Sequence, residues 1–407
     1  MKIKVPQLLW YEKSEMELDF PHSWSIFFCP MKGGQRKRLE KKEIEDAFAY
    51  PIGTKPLYEL AKGRKEVVIL FDDMARPTPV YEVLPFLLRD FERAGIKDHQ
   101  IRLIAALGAH GVQTANDFRK KLGEETLDRF PVYNHNPFDH CQYLGKTRYG
   151  TPVSINKEVM GCDLKIGIGC IVPHSFSGFG GGAKIILPGI AHMDSIAHNH
   201  GLMKEYPKCI GVGKIEGNIP RLDMEEAARM ANLDLKIDAI VNLRGEITSL
   251  FVGDPILEHY EGMKLAKEVY LTTPARGMDV VVVNTFSKAN EAAIAPFIGI
   301  PSLKEKGGDL VIIANEPAGQ VIHYLFGEFG KCGEGRLRLP QPLPTNVKRM
   351  IILSPFRDYV GACFFGEVSS ILWVKTWEEV LGLLKAEWGD KAKVAVYPDG
   401  TIQYFNE

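Results

Sequence analysis

The sequence predicts an α/β protein of two domains. Apolar runs of strand length alternate with helix-period segments through most of the chain. The 407 residues exceed what one hydrophobic core usually supports. A turn-rich joint, Thr272-Thr273-Pro274-Ala275-Arg276-Gly277, interrupts the alternation before it resumes. The expected division is a larger N-terminal domain over 1–271, built on a mainly parallel sheet, and a smaller α/β domain over 278–407, with a ligand in a cleft between them.

Glu66-Val67-Val68-Ile69-Leu70-Phe71 reads as a buried strand. Thr78 is placed to cap the next helix and Pro79 to open it; Val80, Val83, Leu84, Leu87, Leu88, Phe91 and Ala94 mark one apolar face, and Gly95 ends it. A second strand spans 101–107, and Thr114-Ala115-Asn116-Asp117 starts a helix with a capping box. A third strand spans 164–171. Residues 194–200 read as a short helix with Gly201 behind it, and 256–270 as a long helix running into the joint. Beyond the joint the pattern gives strand 280–283, helix 289–297, strands 309–314 and 350–353, helix 377–388 and strand 394–397.

Bulk properties narrow the function. With 45% hydrophobic and 25% charged residues the chain has the composition of a globular protein, and a formal net charge of −1 offers no electrostatic footprint for nucleic acid or an anionic membrane. Seven cysteines, odd in number, scattered and without a C-x-x-C pair, fit reduced thiols better than a disulfide framework or a structural zinc site. No window reaches eighteen apolar residues and the N-terminus carries no signal-peptide pattern, so the expected setting is cytoplasmic and the expected partner a small molecule.

Three polar clusters fall just beyond the carboxyl ends of predicted strands: Asp72, Asp73 and Arg76 after the first, His110 after the second and His174 after the third. That edge of an open α/β sheet is where ligands bind, because its loops converge there. The third cluster is the richest. Pro173-His174-Ser175-Phe176-Ser177-Gly178-Phe179-Gly180-Gly181-Gly182-Ala183-Lys184 runs into Pro188-Gly189 and a segment bearing His192, His198 and His200. It is neither a P-loop, which needs Gly before the lysine and Ser or Thr after it, nor a dinucleotide fingerprint. Glycines do permit backbone N–H groups to approach an anion such as phosphate. A lysine beside apolar Ile185-Ile186-Leu187 gains a lowered pKa and a more nucleophilic amine if desolvated.

Asp73-Met74-Ala75-Arg76-Pro77-Thr78-Pro79, Leu107-Gly108-Ala109-His110 and the block from Pro173 to His200 resemble the nickel-pincer lactate racemase family of 2-hydroxy acid racemases and epimerases. The resemblance implies a nickel-pincer nucleotide (a pyridinium-3,5-bisthiocarboxylate mononucleotide nickel complex), made by separate cofactor-synthesis enzymes. By resemblance Lys184 forms its covalent tether and His200 supplies the protein ligand to nickel. Asp73, Met74, Ala75 and Arg76, with the backbone of Ser177, Gly180, Gly181 and Gly182, are implied to hold its ribose and phosphate.

The implied reaction passes hydride from Cα of a 2-hydroxy acid to the cofactor and back to the other face of a planar 2-keto acid, which avoids removing a weakly acidic Cα proton. His110 and His174 then serve as the two acid/bases, one for each enantiomer, and Arg76 clamps the substrate carboxylate. Members acting on lactate often carry Arg after the first histidine, where this chain has Gly111. They also carry Gly-Gly-Tyr-Pro followed by Tyr-Gln and Lys in the second domain, where this chain reads Asn284-Thr285-Phe286-Ser287-Lys288-Ala289-Asn290. The expectation is therefore a racemase or epimerase of some 2-hydroxy acid, whose identity the altered substrate residues leave open. Lys288 is the leading substrate contact, and Asn284, Ser287 and Asn290 are further candidates. Two rivals stand beside it: a zinc-dependent hydrolase built from His110, His174 and His200, and a non-catalytic phosphate- or nucleotide-binding module.

Overall fold

The computed structural model describes residues 1–326, 342–359 and 361–406. Cys332 lies outside the described residues. The chain divides into two compact units, one of Arg36–Glu268 and the other of Met1–Gln35 with the described residues from Val269 onward.

The Arg36–Glu268 unit is organised by a six-stranded sheet in the order Ile247–Gly253, Leu235–Val241, Leu164–Cys170, Val67–Asp72, Ile101–Ala106, Val132–Asn134. All neighbours are parallel except the pair formed by Ile247–Gly253 and Leu235–Val241, which is antiparallel. Val67–Asp72 and Leu164–Cys170 are buried at every position, as strands covered on both faces must be. The three strands expected to carry the polar clusters lie side by side, so their following loops share one edge.

Helix Val80–Ala94 ends at Gly95 in the left-handed conformation, as its sequence predicts. Its start differs: Pro79 is the N-cap without a side-chain cap bond, because the Thr78 hydroxyl is drawn to the buried Asp72 carboxylate instead. Thr114 and Asp117 form the expected capping box on Ala115–Leu122. The helix expected over 194–200 runs from Met193 to Glu205 through Gly201, with the His192 side chain accepting at its N-terminus.

The other unit carries a fully parallel six-stranded sheet in the order Ile371–Val374, Val347–Leu353, Gly308–Ile313, Val280–Asn284, Lys393–Tyr397, Ser25–Phe28. The expectation that the first domain begins at residue 1 is corrected by that last strand. Ser25–Phe28 pairs beside Lys393–Tyr397, and Ile3, Val5, Leu18, Phe20 and Trp24 share a core with Val280, Val282, Trp377 and Val394. The reason is long-range: an edge strand's partner is invisible to local periodicity. Residues 289–297, expected as one helix, split into a 3-10 segment Ala289–Ile294 with a non-helical Glu291 and a short helix Pro296–Gly299. The break falls at Glu291, whose φ of −116° and ψ of 36° leave the helical region.

Candidate active site

At the carboxyl edge of the first sheet the loops interlock through backbone and side chain. The N–H of Gly108 donates to the carbonyl of Gly189 at 2.9 Å, which ties the His110 turn to the loop following Lys184. Asp73 Oδ1 accepts the N–H of Ala75 at 2.9 Å, and Asp73 Oδ2 lies 2.5 Å from His110 Nδ1. Both members of that pair are buried, Asp73 at 6% and His110 at 9% exposure.

Lys121 holds this loop from below. It is fully buried on helix Ala115–Leu122, and its ammonium donates to the carbonyls of Asp73 at 2.9 Å and Arg76 at 2.8 Å while pairing with Asp72 at 2.8 Å. Burial pushes the Asp72 carboxyl upward, and Lys121 opposes that rise. Half-buried Arg76 donates to the carbonyl of Ala75 at 2.6 Å, and Met74 is also half-buried beside it.

The second group forms around Phe176, which is buried. Its ring meets that of His174 edge-on at 5.0 Å and that of His200 at 4.7 Å, and the Lys184 ammonium stands 4.9 Å over it. Lys184 Nζ is 3.5 Å from His174 Nε2, and His174 Nδ1 accepts the N–H groups of Phe176 and Ser177 at 3.4 Å each. His200 Nδ1 donates to the carbonyl of Ile196, one turn back on its own helix, at 2.9 Å. Burial first, then the Lys184 charge, pushes the His200 pKa down to about 3, with His110 adding to the same shift. The imidazole is therefore neutral, with its lone pair on Nε2, the form that binds a metal.

The glycine-rich run is built by its own hydrogen bonds. The N–H of Gly180 donates to the Val172 carbonyl at 2.7 Å, that of Gly182 to the Asp238 carboxylate at 2.6 Å, and that of Phe179 to the Ser177 carbonyl at 2.9 Å. The Ser177 hydroxyl donates to the Phe179 carbonyl at 2.9 Å, so Ser177, Gly180 and Gly182 each take part in building the loop. Their glycines are needed for close approach: a Cβ on Gly182 would sit 2.4 Å from His259 Nδ1, and one on Gly181 2.9 Å from the Asp238 carboxylate, both at positive φ. Gly181 alone of these four keeps partial exposure.

Four buried residues that shape this loop escaped the sequence reading. Arg221 donates from Nε to the Ser177 carbonyl at 2.9 Å and also bonds the Phe179 carbonyl; His259 bonds the Gly180 carbonyl at 2.8 Å. Lys236 and Asp238 pair at 2.5 Å beneath it. Burial alone would raise Asp238, but Lys236, His259 and the Gly182 N–H together hold it below the usual carboxylate range. Burial, then the Arg221 charge, pushes the His259 pKa down to about 3. The signal was present: Lys236 and Asp238 alternate with Leu235, Ile237 and Ala239 in a strand, and Lys121 shares a helix face with Phe118 and Leu122.

The other two histidines of the block make local hydrogen bonds. His192 accepts from the N–H of Asp194 at 3.2 Å, and His198 shares a hydrogen bond of 2.8 Å with Thr151, which in turn donates to Asp223. Among the described residues no three of His, Cys, Asp and Glu converge as a metal-ligand set. His110, His174 and His200 therefore do not form the zinc site that the hydrolase reading requires.

In the other unit, Lys288 is 3% exposed and its ammonium pairs with Glu291 at 2.5 Å. The 3-10 turn brings the Glu291 carboxylate onto the ammonium expected to meet a substrate carboxylate. Asn284 is spent on Gln7, Pro6 and Pro398, and the Ser287 N–H on Asp399 at 2.9 Å. Asn290 keeps a buried amide oxygen without a hydrogen-bond partner.

The lactate racemase N-terminal domain family matches residues 11–209. The chain is 31% identical over 317 residues to a lactate racemase of Thermoanaerobacterium thermosaccharolyticum, covering 76% of this chain and 74% of that relative. It is 28% identical over 386 residues to a lactate racemase of Lactiplantibacillus plantarum, covering 89% and 90%. Its structure is similar to the lactate racemase apoprotein of T. thermosaccharolyticum, with a TM-score of 0.75 at 24% identity over 100% of both chains. It is also similar to a Thermotoga maritima protein, with a TM-score of 0.65 at 16% identity over 91% and 99%. At those identities the structural likeness speaks for the fold, and the sequence relationships carry the family. The chain belongs to the lactate racemase family.

Proposed function

We propose that this protein is a racemase or epimerase of a 2-hydroxy acid that works with a nickel-pincer nucleotide tethered at Lys184. The observation that carries the reading is the grouping around Phe176: an amine 3.5 Å from one imidazole, with a second, neutral imidazole on the same aromatic ring. The donor chemistry fits such a group. One amine and one metal-competent nitrogen, with no three-residue ligand cluster among the described residues, suit a metal whose other ligands arrive on an organic cofactor.

In this reading Lys184 bears the tether, His200 Nε2 is the protein ligand, and Gly181, Met74, Ala75 and Arg76 line the nucleotide. Bound there, the group supplies a reversible hydride acceptor. His110 and His174 take and return the substrate's hydroxyl proton, and Arg76 presents a planar donor pair to its carboxylate. The buried edge keeps bulk water from competing for these hydrogen bonds.

Protein co-produced with the cofactor pathway is to be given enantiopure 2-hydroxy acids in D2O. The expected result is inversion with the original hydrogen retained on C2. Deuterium entering C2 would sink the hydride route, and no turnover across short-chain, aromatic and polyhydroxy acids would favour a non-catalytic nucleotide-binding module. Zinc without nickel, with an unmodified Lys184 peptide, would favour the hydrolase.

A further inference from the structure

We infer that Asp73 is the positioning carboxylate of His110: it holds the imidazole in the Nδ1–H tautomer and so makes Nε2 the nitrogen that takes the substrate's proton. This rests on the racemase reading for its role in turnover, but not for its geometry. The sequence resemblance assigns Asp73 to the cofactor's ribose, yet one of its oxygens accepts the Ala75 N–H and the other faces His110 Nδ1 at 2.5 Å.

The carboxylate is itself anchored. Lys121 clamps the carbonyls on either side of the turn, those of Asp73 and Arg76, and the N–H of Arg76 donates to the Asp73 carbonyl at 3.1 Å. Pairing of Lys121 with Asp72, whose carboxylate also takes the Thr78 hydroxyl, fixes the turn to the strand end. On the other side, the His110 N–H donates to the Leu107 carbonyl at 3.0 Å, and Gly108 is bonded to Gly189. Neither ring nor carboxylate is left to find its partner at the moment of reaction.

A carboxylate accepts and does not donate, so a neutral imidazole facing it through Nδ1 carries its hydrogen there and its lone pair on Nε2. When the substrate O–H bond breaks, a new N–H bond forms at Nε2, and the positive charge left on the ring meets the Asp73 carboxylate. His174 is set differently. Its Nδ1 faces two backbone N–H groups and its Nε2 faces the Lys184 nitrogen. The two imidazoles are therefore held by different partners.

The test reads the imidazole directly. Long-range 15N–1H spectra of the apoprotein, with the His110 signals identified by their loss in His110→Gln, are expected to show a protonated Nδ1 and a bare Nε2. In Asp73→Asn the amide can turn its NH2 toward Nδ1, and the expected signature is the reversed tautomer. In cofactor-loaded enzyme Asp73→Asn is expected to lower kcat by roughly 10²–10⁴-fold with little change in KM, the range associated with losing a positioned acid/base. Nickel content and the Lys184 adduct mass should stay at parent levels. An Nε2–H tautomer in the parent, an unchanged tautomer in Asp73→Asn, or an unchanged kcat despite a reversed tautomer would each overturn the assignment. Loss of the Lys184 adduct in Asp73→Asn would return Asp73 to a cofactor-binding role. A parent enzyme that is loaded yet inert toward every hydroxy acid defeats the racemase reading instead, and the apoprotein spectra still report on the pair.

Discussion

The two six-stranded sheets obey the same packing rule and use it differently. In the second unit the buried strands are apolar almost throughout: Val280, Val281, Val282 and Val283 beside Leu310, Val311, Ile312 and Ile313. Its charges sit at the amino ends, as with Asp309, which pairs with Arg349 and accepts the Trp388 N–H at 2.8 Å. In the first unit, Asp238 and Asp72 lie in the middle and at the carboxyl end of their strands at no more than 8% exposure, and buried Lys236 reaches up its strand to pair with Asp238. Burying charge costs several kcal/mol per ion unless partners compensate. The difference teaches that the first sheet is built around its site: its internal charges hold the loops of Asp73 and Lys184, while the second sheet is held by packing.

Substitutions can break that contrast. The largest effect on activity is expected from Lys184→Ala, which should bring turnover to background and remove the adduct mass while leaving the apoprotein's thermal midpoint near the parent value. Next comes the packed sheet. Leu310→Ala should cost about 2–5 kcal/mol by denaturant unfolding, because a fully buried side chain leaves a cavity, yet the folded fraction should keep its activity. A third substitution, Gly182→Ala, forces a Cβ onto His259 at positive φ; a loss of roughly 1–3 kcal/mol is expected together with a fall in activity, since the strain falls two residues from Lys184.

Two smaller effects sharpen the comparison. His198→Ala removes the hydrogen bond to Thr151 and should cost about 1 kcal/mol with kcat unchanged, which separates this histidine from His200, two residues further along the helix. Glu258 is buried beside Asp238, and burial, then that neighbouring charge, raises its carboxyl well above the ordinary range. The unfolded chain loses this proton near pH ~4.3 while the folded protein keeps it, so the fold loses stability as pH rises through the carboxylic range. Glu258→Gln should therefore melt above the parent at pH 8 and converge with it at pH 4; a constant offset across that range would show that the charge is not the cause.

Much of the candidate site was legible before folding was considered. His110, His174, Lys184 and His200 stand out because unusual residue types follow apolar strands or a glycine run, and loops after parallel strands share an edge. Arg221, His259, Lys236 and Asp238 could be suspected only as charges out of place in apolar patterns. Lys288 shows the converse: a lysine after a strand looks unpaired in the sequence, and only its turn brings Glu291 against it.

The sequence by itself determined the α/β class, the two-core organisation and the residue types gathered at the carboxyl edge, because periodicity and motif spacing are local properties. Only the tertiary structure decided that residues 1–35 complete the far unit, that the glycine loop spends its N–H groups internally, and that Asp73 faces His110. Those outcomes depend on which buried polar groups find partners across tens or hundreds of residues, and burial makes every such pairing obligatory wherever water cannot substitute.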